Sequence, residues 1–128
     1  MEAITIQTKK QKEIVDITDK ISEIIQKNKR KDGTVNLFLT HTTAALTTAD
    51  LDPGTDEDML EAFWQMIPKF HYRHPHNPSH VPSHILSSLI GTSLTLLVED
   101  GELILGTWQR VVLVELDGPK ERNIIISF

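Results

Sequence analysis

Alternating apolar and polar residues predict β-strands at both ends of the chain. The segments Ala3 to Thr8 and Glu13 to Ile17 alternate, and Val35 to Thr40 is apolar enough for a buried strand. The segment HTTAALTTAD that follows fits either a loop or a second short strand. The last third predicts four antiparallel strands, with an Asp-Gly hairpin turn between the first two: Ser93 to Val98, Glu102 to Leu105, Trp108 to Leu116 and Asn123 to Phe128.

Helical spacing appears in three places between these strands. We predict an N-cap at Thr18 for a helix reaching about Asn28, and a capping box of Thr55 with Asp58 for a second helix. A third helix is expected where a proline suits the first turn and a glycine the end. The apolar stripe of the first helix is Ile21, Ile24 and Ile25, and that of the second is Leu60, Phe63, Trp64 and Ile67. The third helix is predicted over Val81 to Ile90. The expected architecture is α+β: one compact domain over residues 1–128, with β-sandwich-like sheets and two or three helices.

Composition narrows the functional classes. The formal charge of −5 argues against a nucleic-acid binder, whose affinity depends on neutralising phosphates. The chain has no cysteine, which excludes disulfides, thiolate zinc sites and cysteine nucleophiles. Neither a signal peptide nor a membrane span is evident, so we expect a soluble protein of the cytoplasm that does not bind membranes.

Histidine is the most informative residue type. Five of the six histidines lie between His71 and His84, and His41 follows the predicted buried strand. Such a cluster indicates a metal site, an acid/base site or a polar surface crossing. A catalytic zinc site needs about three protein ligands. His41 and His84 are expected on regular elements, which suits ligands, and His74 is the candidate for the third. The remaining three, His71, His76 and His80, are expected to be peripheral.

Charged residues near the turns add further candidates. Asp52 precedes Pro53 in the turn after HTTAAL, and Glu115 falls on the strand face of Val111 and Leu113. A carboxylate there is costly unless it is paired or ligating, although a strand-end glutamate that reaches water is the alternative. In the DGPKER turn, Lys120 and Arg122 form either an anion clamp or an ordinary solvated turn.

Three sequence blocks resemble the signature segments of the YjbQ-like family, many of whose members are labelled secondary thiamine-phosphate synthase. They are HTTAAL with the following Asp-Pro, SHILSSLIGTSLTLLVEDGELILGTWQ, and VELDGPKER. The likeness extends from about Ile4 to Phe128. Two departures stand out: family members usually carry Arg at the position of Lys120, and the NPSHVP segment leaves His80 without an assigned role.

The resemblance implies a β-sandwich domain assembled as a homotrimer, with histidines that bind a metal. The family's conserved polar residues correspond to His41, Asp52, His74, His84, Glu115 and Arg122. The implied activity joins a pyrimidine-methyl diphosphate to a thiazole phosphate and releases pyrophosphate. Because magnesium prefers oxygen ligands whereas histidines favour zinc, we expect that activity to be secondary.

The leading hypothesis is a metal-dependent enzyme acting on a small phosphorylated or anionic substrate. His41, His74 and His84 would bind a divalent metal, with zinc expected. Asp52 or Glu115 would act as base, while Lys120 and Arg122 hold the anion. The alternative is a non-catalytic, trimeric module that binds a metal or a metabolite. A third hypothesis is that the histidines are purely structural.

Overall fold

Two antiparallel sheets and three α-helices make up the computed structural model, which describes all residues 1–128. In chain order the elements are β1 (Glu2–Gln7), β2 (Glu13–Asp16), α1 (Thr18–Lys27), β3 (Gly33–Leu39), β4 (Ala44–Ala49), α2 (Thr55–Gln65), α3 (Val81–Ile90), β5 (Ser93–Glu99), β6 (Glu102–Leu103), β7 (Arg110–Glu115) and β8 (Glu121–Ser127). A short 3₁₀ turn, Pro78–His80, precedes α3. The large sheet has the order β1-β8-β3-β5-β6, and the small sheet the order β2-β7-β4. The predicted α+β fold is confirmed.

The hairpin between β5 and β6 forms as predicted. Glu99 pairs with Glu102 across the turn. Asp100 and Gly101 both have positive φ, 52° and 80°, which is typical of a two-residue turn that matches the strand twist. The HTTAALTTAD segment forms β4, so the second of its two interpretations is correct.

The main core lies between the inner faces of the two sheets, with α1 closing one side. Alternate residues of β3, Val35, Leu37 and Leu39, point into it and are buried. The α1 stripe contributes Ile21 and Ile25, which are fully buried. Burial of each such side chain stabilises the fold by about 1.5–3 kcal/mol before the cost of ordering the chain. The apolar residues that alternate along the strands and those on the α1 stripe are therefore buried in the same core cluster.

A second, smaller core covers the opposite face of the small sheet. Val112 and Val114 of β7 point into it, away from Val111 and Leu113 in the main core. Leu60, Phe63 and Trp64 of α2 pack against it at their predicted helical spacing, and α3 adds Leu86. The two apolar faces of β7 are thus both covered within one chain.

The helix starts differ from the predicted caps. At α1 the Asp16 carboxylate accepts the hydrogen bonds of the Thr18 N–H (3.0 Å) and hydroxyl (2.6 Å), so Thr18 lies inside the helix. At α2 the preceding residue is Gly54, with φ of 92° and no side-chain cap. The capping box of Thr55 and Asp58 is therefore wrong, and acidic residues of the first turn complement the helix dipole instead. No helix is long and apolar enough to cross a bilayer.

Candidate functional site

A buried ion pair joins the two sheets. Glu115 ends β7 on its inner face and is 0% exposed; Arg122 of β8 is 1% exposed. The Arg122 Nε donates to Glu115 Oε1 at 2.8 Å, and its NH2 group donates to Oε2. The carboxylate also accepts the Thr8 hydroxyl (2.7 Å) and the Asp117 N–H (3.1 Å). No buried side-chain polar atom in the protein lacks a partner.

This network keeps Glu115 ionised. Burial alone would raise its pKa, but hydrogen bonds from Arg122, the Asp117 N–H and Thr8, together with the positive charge of Arg122, hold the pKa below its ordinary value. The expectation that a carboxylate at this position must be paired is confirmed by Arg122. The base role of Glu115 and the anion-binding role of Arg122 stay predictions, and within the chain each group is the other's counter-ion.

The same arginine also fixes the loop between β3 and β4. Its NH2 group donates to the Thr43 carbonyl at 3.0 Å and to the Thr43 hydroxyl at 2.9 Å. The adjacent Asn123 N–H donates to His41 Nε2 at 2.9 Å. Two consecutive residues of β8 therefore hold the loop at both of its ends, and the position of the His41 ring follows from the strand.

The hydrogen bond from Asn123 determines the proton position on His41. A neutral imidazole has one acceptor nitrogen and one N–H donor. Because Nε2 accepts, the proton lies on Nδ1, which makes no hydrogen bond within the chain. Burial lowers the pKa of His41 below its ordinary value of 6.5, and the charges of Arg122 and Lys120 lower it further against the opposing effect of Glu115. At neutral pH His41 is thus an uncharged hydrogen-bond donor.

His41 and His84 line one cavity of about 480 Å³. It lies between the β3–β4 loop and α3, and only two of its ten lining residues are hydrophobic. Hydroxyl groups make up much of the rest of its wall: Thr40, Thr42, Ser87, Ser88 and Thr92. The Ser87 hydroxyl donates to the Ala44 carbonyl at 2.7 Å and so joins α3 to β4. We call this space the His41 cavity.

His74 stands beside the His41 cavity without lining it. Its ring stacks on that of His84, with centroids 5.3 Å apart and planes at 20°. Its Nδ1 accepts hydrogen bonds from the backbone N–H groups of His76 (3.2 Å) and Asn77 (3.1 Å). These contacts order the crossing between α2 and α3.

The predicted ligands do not form a metal site. Zinc binds through a nitrogen lone pair, and Nε2 of His41 and Nδ1 of His74 already accept hydrogen bonds from backbone N–H groups. No three histidine, aspartate or glutamate side chains stand together as metal ligands. The chemistry of this donor set does not fit a resident divalent metal.

The remaining predicted site residues lie apart from the His41 cavity. Asp52 is exposed in the turn before α2, where its carbonyl accepts the Thr55 N–H at 2.9 Å. Lys120 is exposed, and its Nζ donates to Asp117 Oδ2 at 2.9 Å. Asp117 Oδ2 also lies 3.6 Å from His80 Nδ1. The structure therefore brings His41 and His84 together in one cavity and connects the Glu115–Arg122 pair to the loop that carries His41, whereas Asp52 and Lys120 lie outside.

Three contributors had no assigned role in the sequence prediction: Thr8, Thr43 and Asn123. Thr43 stands in the HTTAAL block, so its proximity to His41 along the chain was the available signal. Thr8 is a hydroxyl residue just beyond a strand end. Asn123 acts through its backbone N–H, which leaves no trace in the residue type.

Comparison with known proteins relates residues 2–128 to the family described as UPF0047 protein YjbQ-like. A UPF0047 protein of Archaeoglobus fulgidus is 37% identical over 125 residues, covering 97% of each chain. The UPF0047 protein YugU of Bacillus subtilis is 35% identical over 128 residues, covering 99% of this chain and 97% of its own. A crystal structure from Sulfolobus solfataricus, described as a YbjQ-like protein of unknown function, is 34% identical, with a TM-score of 0.90 over 98% of this chain and 92% of that one.

These findings correct the functional prediction. The names of the relatives carry the UPF0047 label and no activity, and the Sulfolobus protein is described as of unknown function. With the donor arrangement above, they make the prediction of a zinc-binding enzyme with thiamine-phosphate synthase activity wrong. The metal-binding module is wrong for the same structural reason: two of the three predicted ligands already use their lone pairs.

Proposed function

Because the chain belongs to the UPF0047 protein YjbQ-like family, whose compared members carry no named activity, we propose a function from the geometry: the His41 cavity binds a small oxyanion, such as a phosphate group, without a metal. The observation that carries this proposal is the hydrogen bond from the Asn123 N–H to His41 Nε2. It leaves Nδ1–H as a fixed donor on a residue that lines the cavity.

The lining supports an oxygen-rich ligand. Hydroxyl groups donate and accept hydrogen bonds and rotate to suit their partner. Neither aspartate nor glutamate lines the cavity, so no carboxylate on its wall repels a bound anion. Arg122 and Lys120 are the cations nearest to His41 in effect, although Glu115 and Asp117 pair with them, so the hydrogen-bond donors of the wall supply most of the attraction for an anion.

A neutral histidine suits this role better than a charged one would. An imidazolium would have to break the hydrogen bond from Asn123, since protonated Nε2 cannot accept. A neutral ring keeps that bond and presents one oriented donor without the cost of burying a charge. We therefore expect the site to bind at neutral pH with His41 uncharged.

Calorimetric titration with glycerol 3-phosphate tests the proposal, with glycerol as the uncharged match and chelator in every buffer. We expect the phosphate ester alone to bind. His41→Ala should weaken it at least about tenfold, because a hydrogen bond to a charged group contributes about 1.5–3 kcal/mol. His41→Asn retains an amide donor and should recover part of the loss. The control His76→Ala removes an exposed histidine outside the cavity and should bind normally.

Three results would contradict oxyanion binding without a metal: equal binding of glycerol, unchanged affinity in His41→Ala, or binding that appears only after zinc is added. The proton position is tested separately. Long-range ¹H–¹⁵N spectra should show His41 as the Nδ1–H tautomer at pH 7, with a pKa below 6.5. Protonation of Nε2 at that pH would remove the basis of the proposal.

We further propose that copies of the chain associate through the outer face of the large sheet. Phe38 and Leu97 are 51% and 53% exposed there. The register places uncharged residues around them on the same face: Ala3, Thr5, Thr34, Asn36, Thr95, Asn123, Ile125 and Ser127. The charged residues of this face, Glu99, Glu102 and Glu121, stand at its margins, and a patch with an uncharged centre is suited to burial against another protein surface. Since Phe38 also lines the His41 cavity, a second copy on this face would border the ligand.

The number of copies, three, comes from the family resemblance. Sedimentation equilibrium at micromolar concentration should give three chains for the unmodified protein. Phe38→Glu and Leu97→Glu should give monomers, since each places a charge on this face. Trp108→Glu, at an exposed site outside the sheets, is the control and should leave assembly unchanged. A monomer of the unmodified protein would refute the trimer. The cytoplasmic location stays a prediction.

A further inference from the structure

A second cavity, of about 420 Å³, lies between the end of α2, the crossing and the start of α3. Three aromatic side chains line it, Trp64, Phe70 and Tyr72, together with three prolines. No residue of this aromatic cavity also lines the His41 cavity. Its volume falls within the range of small-molecule sites, about 300–1,000 Å³.

The aromatic rings offer flat surfaces to a ligand. Phe70 and Tyr72 are tilted against each other, with centroids 4.5 Å apart and planes at 44°, and Phe70 is 61% exposed. Lys12 Nζ lies 4.0 Å from the centroid of the Trp64 ring, on the side of a neighbouring cavity that Lys12 and Trp64 both line. Aromatic walls of this kind bind planar rings by offset or edge contacts.

The charged groups in the wall are cationic or neutral. Lys69 and His71 line the aromatic cavity, and no carboxylate does. Lys69 makes no salt bridge within the chain, so its ammonium is available to a ligand; the six ion pairs all involve other residues. Pro82 belongs to the first turn of α3, and the positive end of a helix dipole favours a nearby anion. The carboxylate of Glu61 belongs to the neighbouring cavity and not to this one. It accepts a hydrogen bond from Gln65 at 3.3 Å.

From this complementarity we propose that the aromatic cavity is a second ligand site, for a small planar aromatic molecule that carries a carboxylate. The ring packs against Phe70, Tyr72 and Trp64, and the carboxylate pairs with Lys69. The site shares no residue with the His41 cavity, and its aromatic walls suit a ligand of a different class from a phosphate ester.

Titration of the full chain with 2-naphthoate tests the site, with amide chemical shifts from ¹H–¹⁵N spectra as the readout. We expect saturable shifts at Trp64, Phe70 and His71. Two matched compounds separate the contributions: 2-naphthylmethanol keeps the rings without the charge, and cyclohexanecarboxylate keeps the charge without the aromatic ring. Both should bind more weakly than 2-naphthoate.

Variants at exposed positions keep the fold intact. Phe70→Ala should weaken 2-naphthoate about threefold to tenfold through the lost ring contact, and Lys69→Gln about threefold. Met66→Ala alters an equally exposed neighbour that does not line the cavity and should bind like the unmodified protein. Shifts at other residues only, an unchanged affinity in both Phe70→Ala and Lys69→Gln, or equal binding of 2-naphthylmethanol would overturn the proposal.

Discussion

Glu115 and Arg122 form a fully buried ion pair between the two sheets, and the same guanidinium holds Thr43 in the loop that carries His41. The pair lies only seven positions apart along the chain, yet one residue belongs to the small sheet and the other to the large one. Stability of the fold and placement of the candidate site thus depend on one contact.

Removing one member of this pair should be costly. Glu115→Gln leaves the Arg122 charge buried without its counter-ion, so we expect a loss of about 3–5 kcal/mol in the free energy of unfolding. The double variant Glu115→Leu with Arg122→Met leaves no unpaired charge and should lose less than the single one. Urea titration measures both, with Glu121→Gln, an exposed glutamate of β8, as control. A single variant as stable as that control would contradict the buried pairing.

Acid should unfold the protein in two pH ranges. The folded pKa values of His41, Glu115 and Asp16 all lie below their ordinary values of 6.5, 4.5 and 3.8. For each group the unfolded chain binds protons more readily, so its contribution is complete above the ordinary value and is lost as pH falls towards the folded one. We expect a first decline below about pH 6.5 from His41 and a steeper one below about pH 4.5 from the carboxylates.

Thermal unfolding across this pH range checks the assignment. In Asp16→Asn the carboxylate that accepts the Thr18 N–H and pairs with Arg110 no longer titrates. The acid decline of that variant should be shallower than that of the unmodified protein. Stability that rises as the pH falls from 6 to 3 would show that the sign of these shifts is wrong.

Gly118 should tolerate no side chain. A Cβ placed on it would lie 2.8 Å from Glu115 Cγ and 2.9 Å from Thr8 Oγ1, and closer still to the Lys10 carbonyl. Gly118→Ala is expected to destabilise the fold by about 1–3 kcal/mol through overpacking. In Gly106→Ala the nearest atom is 3.6 Å away, so this control should change stability by less than about 0.5 kcal/mol. Equal losses in the two alanine variants would refute the steric explanation.

Lys29 offers a stabilising substitution. It follows α1 with a φ of 53°, in the left-handed region that costs a side-chain-bearing residue about 1 kcal/mol. Lys29→Gly should raise the free energy of unfolding by several tenths to about 1 kcal/mol, because glycine is the preferred residue at this helix end. Lys31→Gly, at a position without positive φ, should bring no gain. A loss of stability in Lys29→Gly would contradict this reading of the helix end.

The fold was predictable because its signals are local and repeated. Strands β3 and β8 alternate inward and outward residues, and α3 has its bounds as predicted because Pro82 and Gly91 mark its ends. The need for a partner to Glu115 was also visible, since the four residues of β7 that precede it are all apolar. The starts of the helices were harder to predict. Asp16 and Thr18 are both capping residue types, and only the backbone geometry shows that Thr18 already lies inside α1.

The candidate site was less predictable because its decisive contact is not local. The hydrogen bond from Asn123 to His41 joins positions 82 apart in the sequence and comes from a backbone group. Histidine spacing alone suggested ligands, whereas the acceptor nitrogens of His41 and His74 are used by the backbone. The residue type states what a side chain can do, but the fold determines which of its atoms remain free.

Strand β7, with one face in each core, makes the domain cooperative. It is the middle strand of its sheet, and its side chains are divided between the main core and the layer below α2 and α3. Loss of packing in either layer therefore exposes one face of β7, and neither layer can open without weakening the packing of the other. In native-state hydrogen exchange, the β7 amides should exchange only through complete unfolding, and the two layers should show the same opening free energy.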